Sequence, residues 1–187
     1  MSEQKTIILL FEYSDTIASR YRALGYNVIA VDLELGINIY DFDYKKYSNV
    51  VAVFAHPPCT EFAGSGARWW KDKPAYLLED AKKLVRKTLE IIDYHKPAAW
   101  FIENPVGRIS ECIPELNNYY KAVFNPCDYG DPYTKKTCLW GCFIMPPYNR
   151  VKPVLGSKMH HMSGKNKLGR SLTPAGFADA FVKYNQF

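Results

Sequence analysis

A cysteine and a glutamate in this sequence have the side-chain types and the setting for covalent catalysis on an electron-poor ring. Cys59 follows the two stiff residues Pro57 and Pro58, and Glu103 is followed by Asn104. A thiolate adds to such a ring, and a carboxylic acid of raised pKa protonates a ring nitrogen and makes the ring more electrophilic. Carbon-5 of a pyrimidine is unreactive until carbon-6 carries a nucleophile, so the pair suits chemistry at carbon-5.

Alternating strand and helix patterns provide the elements that position these residues. Four short apolar runs, rich in β-branched residues, are typical of strands buried on both faces. Helical patterns cover residues 16–24 and 77–94, and a last helix is predicted from about 173 to 184. This alternation predicts an α/β, doubly wound, Rossmann-like fold with a mostly parallel sheet. The four runs are Thr6–Phe11, Asn27–Val31, Val50–Ala55 and Ala99–Ile102.

Polar residues follow the runs, at the edge where an open parallel sheet binds its ligands. Asp32 follows the second run, about 20 residues after the first, where an acid accepts hydrogen bonds from ribose hydroxyls. The third run leads through His56 to Cys59, and the fourth leads into Glu103. For His56 we favour a solvent-exposed loop residue over one that shifts the pKa of Cys59. Each residue alone fits a surface loop, but their joint placement indicates a site.

Composition bounds the class of protein. The 187 residues are 48% hydrophobic and 23% charged, which favours one globular domain over residues 1–187 and excludes a disordered, collagen-like or disulfide-stapled chain. We expect no membrane span and no signal peptide, and a cytoplasmic location. Of the net charge of +5, residues 135–187 contribute nine Lys/Arg against one acid. This basic part, which is not expected to be a separate domain, suits DNA or a nucleotide, or else is a solvated surface.

Four segments resemble motifs of the S-adenosylmethionine-dependent cytosine-5 DNA methyltransferases. The turn at residues 57–59 is similar to the family's Pro-Cys motif, and Phe-Ile-Glu-Asn-Pro-Val at 101–106 is similar to its Glu-Asn-Val motif. Residues 129–137 resemble its Tyr-Gly-x-Pro-Gln-x-Arg-x-Arg segment, and residues 171–174 resemble its Leu-Thr-Pro motif. The order of all four matches, and the resemblance extends from about Thr6 to Phe181.

The resemblance implies a role for each matching residue. Cys59 would attack carbon-6 of the base, Glu103 would protonate the ring nitrogen, and Asn104 would hold the loop. S-adenosyl-L-methionine would be the cofactor, and no metal is expected. In the cofactor site the adenine would pack on Phe11, with Asn38 near its amino group, and the ribose would bind Asp32. Ser14 would cap the next helix beside the methionine carboxylate. Pro57 would line the pocket. The substrate would contact Pro58, Lys135 and Thr137.

Three departures separate the chain from the family pattern. The cofactor loop at residues 11–15 contains no glycine, Tyr133 and Thr137 replace a Gln and an Arg, and only residues 138–170 separate the last two motifs. We therefore predict a reduced enzyme of phage or prophage type without a target-recognition domain. Its substrate would be DNA or a free deoxycytidine nucleotide, a protein partner could supply target recognition, and a phage enzyme would act in the host cytoplasm.

Two other functions and two local features stay open. One alternative is a methyltransferase-like binding module for nucleic acid or protein. The other, ranked last, is a nicotinamide-dependent oxidoreductase, whose Gly-x-Gly-x-x-Gly turn is missing from this sequence.

Trp69 and Trp70, with Arg68, either stack on a base or pack under the following helix. Five cysteines without framework spacing favour thiols over disulfides. Core thiols are favoured over a zinc site built from Cys127, Cys138, Cys142, His160 and His161.

Overall fold

A computed structural model describes residues 3–157 and 172–187 of the chain. Within these residues, six strands form one sheet in the order β2-β1-β3-β4-β6-β5. Strands β1 to β4 are parallel, and β6 is antiparallel to both β4 and β5. The predicted doubly wound, mostly parallel α/β fold is confirmed. The strands are β1 (Thr6–Leu10), β2 (Asn27–Val31), β3 (Val50–Ala55), β4 (Ala99–Pro105), β5 (Tyr120–Phe124) and β6 (Thr137–Cys142).

Helices cover both faces of this sheet. Side chains alternate along a strand, so Ile7 and Leu9 of β1 join the cluster under two helices, and Ile8 and Leu10 join the cluster on the other face. All five residues of β1 are buried, which explains a strand sequence that is apolar throughout. Among the described residues no helix is long and apolar enough to cross a membrane. The helices α1 (Thr16–Ala23) and α4 (Ala175–Tyr184) lie on the first face, α2 (Ala75–His95) lies on the second, and the short α3 (Ile109–Cys112) follows β4.

The antiparallel strand β6 brings a later part of the chain to the carboxyl end of β4. Their pairing continues from Glu103 opposite Leu139 to Pro105 opposite Thr137. The predicted end of β4 at Ile102 is therefore wrong, because the ladder with β6 extends the strand through polar residues. As a result, the segment just before β6 lies beside the end of β4, at the ligand-binding edge of the sheet.

The helix predictions agree with the structure to within about two residues at each end. The edge strand β5 was missed, since it has no continuous apolar run. Three of its five residues are exposed and only Ala122 and Phe124 are buried, as expected for a strand with one covered face and one open edge.

Candidate active site

The loop that carries Cys59 leaves the carboxyl end of β3, which lies between β1 and β4. The N–H of His56 donates to the Leu10 carbonyl at 3.0 Å, so the ladder with β1 continues one residue past the strand. The carbonyl of Cys59 then accepts the N–H groups of Phe62 and Ala63 at 2.9 and 2.8 Å. The half-buried Cys59 therefore stands at the start of a tight turn.

Hydrogen bonds fix this loop against the segment that contains Glu103. The fully buried side chain of Asn104 donates its Nδ2–H to the Pro57 carbonyl at 3.1 Å. Further along, the N–H of Gly64 donates to the carbonyl of Val106 at 2.9 Å. Because a buried carbonyl without a partner is costly, these bonds hold the cysteine loop and the end of β4 as one unit.

Gly107 allows these two segments to approach each other. A Cβ atom at this position would lie 1.9 Å from the Phe62 carbonyl oxygen and 2.7 Å from the Gly64 nitrogen. Beside it, the N–H of Arg108 donates to that same Phe62 carbonyl at 2.9 Å. Only glycine fits this contact without a backbone shift.

The two adjacent tryptophans have different environments. The guanidinium of Arg108 lies 4.0 Å from the ring centroid of the partly buried Trp70, so Trp70 packs against the chain. Trp69 is 55% exposed, and the guanidinium of Arg68 lies 5.0 Å from its ring. Of the two predicted stacking residues, Trp69 is the one with an open ring surface.

His56 lies between the buried carboxylate of Glu12 and the partly buried carboxylate of Glu103. Its Nδ1 is 3.3 Å from Oε2 of Glu103, and its Nε2 is 4.0 Å from Oε2 of Glu12. The His56 side chain is 10% exposed and that of Glu12 is 3% exposed. The expectation of a solvent-exposed histidine is wrong, because the ring turns inward and meets the edge of Phe101, with ring centroids 5.4 Å apart.

These neighbours decide the charge of Glu103. Burial by itself would raise the pKa of this carboxyl, but the hydrogen bond with His56 and the positive charge of Lys135 outweigh burial and hold the pKa of Glu103 below its ordinary value. The raised pKa expected from the sequence is therefore wrong for the site without a substrate. A carboxylate that protonates a base must obtain its proton from elsewhere.

A pocket open to solvent adjoins Glu103 and His56. It contains about 260 Å³ of space, including its mouth. Lys135 and Thr137 line it, so the structure brings two predicted substrate residues to Glu103. The hydroxyl of Thr137 donates to the Lys135 carbonyl at 2.9 Å and thereby shapes the turn before β6. Pro58 is exposed on the cysteine loop and is not part of this wall. The other lining residues are Phe124, Leu139, Thr173, Pro174 and Phe177.

The loop between β1 and α1 adopts a glycine-type backbone without glycine. Phe11 and Asp15 have φ angles of 59° and 57°, a left-handed conformation that is uncommon for residues with a side chain. The N–H of Phe11 donates to the Val31 carbonyl at 2.7 Å, and its half-buried ring packs against the core. Two residues of this loop, Phe11 and Asp15, therefore hold a conformation that glycine adopts more readily.

Glu12, which the sequence analysis did not single out, occupies the start of α1. Its Oε1 accepts the Ile17 N–H at 2.9 Å and lies 3.4 Å from the Ser14 hydroxyl, which donates to it. Of Ser14 and Asp15, the two residues that the sequence offers as the cap of this helix, Asp15 is the N-cap and makes no side-chain cap bond, so the cap expected at Ser14 is not formed. The sequence feature that could have identified Glu12 is a carboxylate directly after a buried strand and just before a helix, where the helix dipole attracts negative charge.

Two further predicted cofactor residues lie at and beyond the end of β2. Asp32 is partly buried, and its Oδ1 accepts the Glu34 N–H at 2.8 Å. Because β2 pairs with β1, Asp32 lies beside Phe11. Asn38 is exposed, and its Oδ1 accepts the Tyr40 N–H at 3.0 Å. The structure thus places Asp32 next to Phe11 and leaves Asn38 on an outer loop.

The cysteines all lie within the described residues, and none forms a disulfide. Cys138 is buried, and burial raises the pKa of its thiol, whereas Cys142 is exposed. In residues 3–157 and 172–187 there is no group of three or more side chains that could hold a metal ion. His160 and His161, and Ser171 of the last motif, lie outside the described residues.

Comparison with known proteins gives a viral relative. The chain is 32% identical over 131 residues to a protein of Frog virus 3 (isolate Goorha) that bears the name "Probable DNA (cytosine-5)-methyltransferase". This chain is homologous to that viral protein. The match covers 62% of this chain and 60% of the viral protein, so the chain spans about three fifths of its relative's length. No family model matches the sequence.

Solved structures share the fold. A methyltransferase of Entamoeba histolytica matches with a TM-score of 0.51 at 18% identity, over 81% of this chain and 58% of its own. A prophage protein of E. coli, described as a DNA modification methyltransferase, matches with a TM-score of 0.53 at 11% identity, over 88% of this chain and 50% of its own. These likenesses show a Rossmann-like methyltransferase fold.

Proposed function

We propose that this chain is an S-adenosylmethionine-dependent methyltransferase that acts on carbon-5 of cytosine through a covalent adduct with Cys59. The observation that carries the proposal is the fixed unit formed by the cysteine loop and the end of β4. Asn104 and Gly107 join the segment that carries Cys59 to the segment that carries Glu103, at the carboxyl ends of β3 and β4. The homology to the viral protein supports the same chemistry.

This arrangement supplies the two groups that attack on a pyrimidine requires. Cys59 adds to carbon-6, and a proton delivered through Glu103 to the ring nitrogen neutralises the electron density that moves into the ring. Carbon-5 then becomes nucleophilic enough to take a methyl group. The carbon-5 proton then leaves to solvent water, the ring-nitrogen proton returns to Glu103, and the Cys59 thiolate departs, which restores the aromatic ring.

The residues around the β1–α1 loop fit the cofactor. A bound S-adenosylmethionine would supply an electrophilic methyl group. Phe11 and Asp32, side by side at the strand ends, would hold its adenine and ribose. Glu12 has a buried oxygen, Oε2, without a hydrogen-bond partner, which suits the ammonium of an amino acid rather than its carboxylate. Ser14, Asn38 and Pro57 complete the proposed site.

The substrate in this proposal is cytosine in DNA or in a free deoxycytidine nucleotide. Lys135 reaches the pocket beside Glu103 and would contact the base or a phosphate. Thr137 and Pro58 would border the base. A catalytic unit without a target-recognition domain would rely on a protein partner for sequence choice, and would act in the cytoplasm, that of the host if phage-encoded.

The test measures methyl transfer by variants of Cys59 and of a control cysteine. With labelled cofactor, the wild type should transfer methyl groups to duplex DNA, single-stranded DNA or deoxycytidine monophosphate, and Cys59→Ser should transfer none. Cys112→Ser, a partly buried cysteine on α3, is the matched control and should keep its activity. With a substrate that carries fluorine at carbon-5, which cannot leave as a proton does, intact mass should show a stable adduct on the wild type only. Full transfer by Cys59→Ser would contradict the mechanism.

A second candidate function, a binding module, is favoured by one observation. The carboxylate of Glu12 accepts the N–H of Ile17 in the first turn of α1 and so competes with a ligand at this position. A binding module predicts salt-sensitive DNA binding that is indifferent to S-adenosylmethionine. Calorimetric titration with the cofactor separates the two, because saturable 1:1 binding supports the enzyme and no heat from folded protein supports the module.

A further inference from the structure

Glu12, His56 and Glu103 lie in a row, in which Glu103 takes part in the proposed chemistry, Glu12 has been proposed only as a contact of the cofactor ammonium, and His56 has no role so far. The His56 ring faces a carboxylate oxygen from each of its two nitrogens, at 3.3 Å on the Glu103 side and 4.0 Å on the Glu12 side. Its Nε2 and Oε2 of Glu12 are buried and have no hydrogen-bond partner in the described part of the chain. A proton placed between these two atoms would give each of them a partner.

Hydrogen-bond complementarity indicates which form of His56 fits. A neutral imidazole has one N–H donor and one acceptor nitrogen, whereas an imidazolium has two donors. Ionised carboxylates only accept, so the imidazolium is the form that presents an N–H to both of them, as a hydrogen bond to Glu103 at 3.3 Å and as an ion pair with Glu12 across 4.0 Å. A neutral ring would set an acceptor nitrogen against a carboxylate oxygen in a buried setting, which is costly.

We propose that His56 is the proton reservoir of this site, held as an imidazolium between Glu12 and Glu103, and that it passes its proton through Glu103 to the ring nitrogen of the base. The inference rests on the proposed function, because it needs a base at Glu103. His56 lines the same pocket as Glu103, and His56 acts through that carboxylate as a positioning and proton-supplying residue.

The proton balance of the step is closed. As the bond between the Cys59 sulfur and carbon-6 forms, one proton leaves Nδ1 of His56 for Oε2 of Glu103, and one proton leaves the Glu103 carboxyl for the ring nitrogen. The imidazole is then neutral and Glu103 is again a carboxylate. When the sulfur–carbon bond breaks, the proton returns along the same path.

The charges around His56 are consistent with this role. Glu12 faces it from the β1–α1 loop, Glu103 faces it from β4, and Lys135 near the start of β6 acts on Glu103. The hydrogen bond to His56 and the charge of Lys135 keep the pKa of Glu103 below its ordinary value although burial opposes this. The carboxyl of Glu103 is therefore ionised and can accept a proton from its neighbour.

Nitrogen-15 NMR of the histidine rings tests the resting state without substrate or cofactor. At pH 7 we expect both nitrogens of His56 to carry hydrogen in the wild type. Glu12→Gln keeps an oxygen that can accept the Ile17 N–H but removes the charge, so one nitrogen should lose its hydrogen. His56→Asn assigns the signal, and His95, a partly buried histidine at the end of α2, is the reference ring.

Exchange of the carbon-5 hydrogen of cytosine with deuterated water tests the transfer step without cofactor. Addition of Cys59 makes carbon-5 basic, so it takes a deuteron and later loses its own proton. His56→Asn keeps an N–H donor near the position of Nδ1 but has no proton to give, and exchange should fall about 10²-fold with KM unchanged. Glu12→Gln should lower it less, and His95→Asn should leave it unchanged.

The outcomes separate the two ideas. A neutral His56 in the wild type, or full exchange by His56→Asn, would overturn the relay while wild-type exchange still supports the enzyme. No exchange by folded wild-type protein on any cytosine substrate would overturn the proposed function, and the catalytic role of the relay with it, even if the NMR spectrum shows an imidazolium. Protonated His56 together with impaired exchange in the variants supports the relay.

Discussion

The loops that follow β3 and β1 lie side by side at one edge of the sheet, yet they are built in different ways. The cysteine loop is fixed by contacts with another segment, through the Asn104 side chain and the glycine contact at Gly107. The β1–α1 loop is fixed from within, by Glu12 bonding to the start of its own helix. The first loop matches the motif that its sequence resembles, and the second does not.

This difference shows where the geometry tolerates change. A loop that is locked to a neighbour requires a small residue at the contact, because backbone atoms leave no room for a side chain. A loop that is fixed by bonds within itself can hold residues with side chains in a left-handed conformation, as Phe11 and Asp15 show. Substitutions at four positions test these two loops and the carboxyl group beside them, from the largest expected effect to the smallest.

Gly107→Ala should have the largest effect on stability. Its Cβ would meet the Phe62 carbonyl oxygen at 1.9 Å, so the cysteine loop must move, at a cost of about 3 kcal/mol, with loss of carbon-5 exchange. Gly66→Ala is the matched control, since its Cβ would meet nothing closer than 3.9 Å. Urea unfolding measures both. Equal stability of the two variants would contradict the conclusion that the contact at Gly107 fixes the cysteine loop.

Asn104→Ala should have the next largest effect. It removes a fully buried side chain and leaves the Pro57 carbonyl without its 3.1 Å partner, which should cost roughly 1–3 kcal/mol. Asn117→Ala is the control, because Asn117 makes a similar bond of 3.0 Å to the Ser110 carbonyl but on the surface. If the two alanine variants unfold at the same urea concentration, the contact does not hold the cysteine loop.

The sequence predicted those parts of the fold and site that depend on local pattern. The buried strands, the helix α2 and the ends of the strands near Cys59 and Asp32 follow from apolar runs and helical spacing. Glu103 and Lys135 were predicted to share a site, and the structure brings them together. The motif residues carry this information because each lies at a strand end.

The sequence did not predict features that depend on long-range pairing. β4 extends to Pro105 only because β6 pairs with it, and the inward turn of His56 depends on carboxylates 44 and 47 positions away in the chain. The lowered pKa of Glu103 has the same origin, since His56 and Lys135 come from other elements. No local pattern encodes such a meeting of three segments.

Glu103→Gln should change how stability depends on acid, by an amount smaller than the losses above. The pKa of Glu103 is lower in the folded than in the unfolded chain, so the unfolded chain binds more protons between the two values. Its contribution is full above pH ~4.3 and is lost as the pH falls through the folded value. The wild type minus variant difference in unfolding free energy should therefore shrink below pH ~4. A difference that is constant from pH 3 to 7 would contradict the ionised carboxyl.

The smallest expected effect separates backbone from side chain in the β1–α1 loop. Asp15→Gly and Asp15→Ala both remove the exposed ion pair with Arg22, which stabilises little. They differ in whether the new residue tolerates the φ of 57°. Glycine adopts this conformation without strain and alanine does not, so Asp15→Gly should be more stable than Asp15→Ala by about 1 kcal/mol. Unfolding data in which Asp15→Ala is at least as stable as Asp15→Gly would show that this loop has no glycine-type backbone.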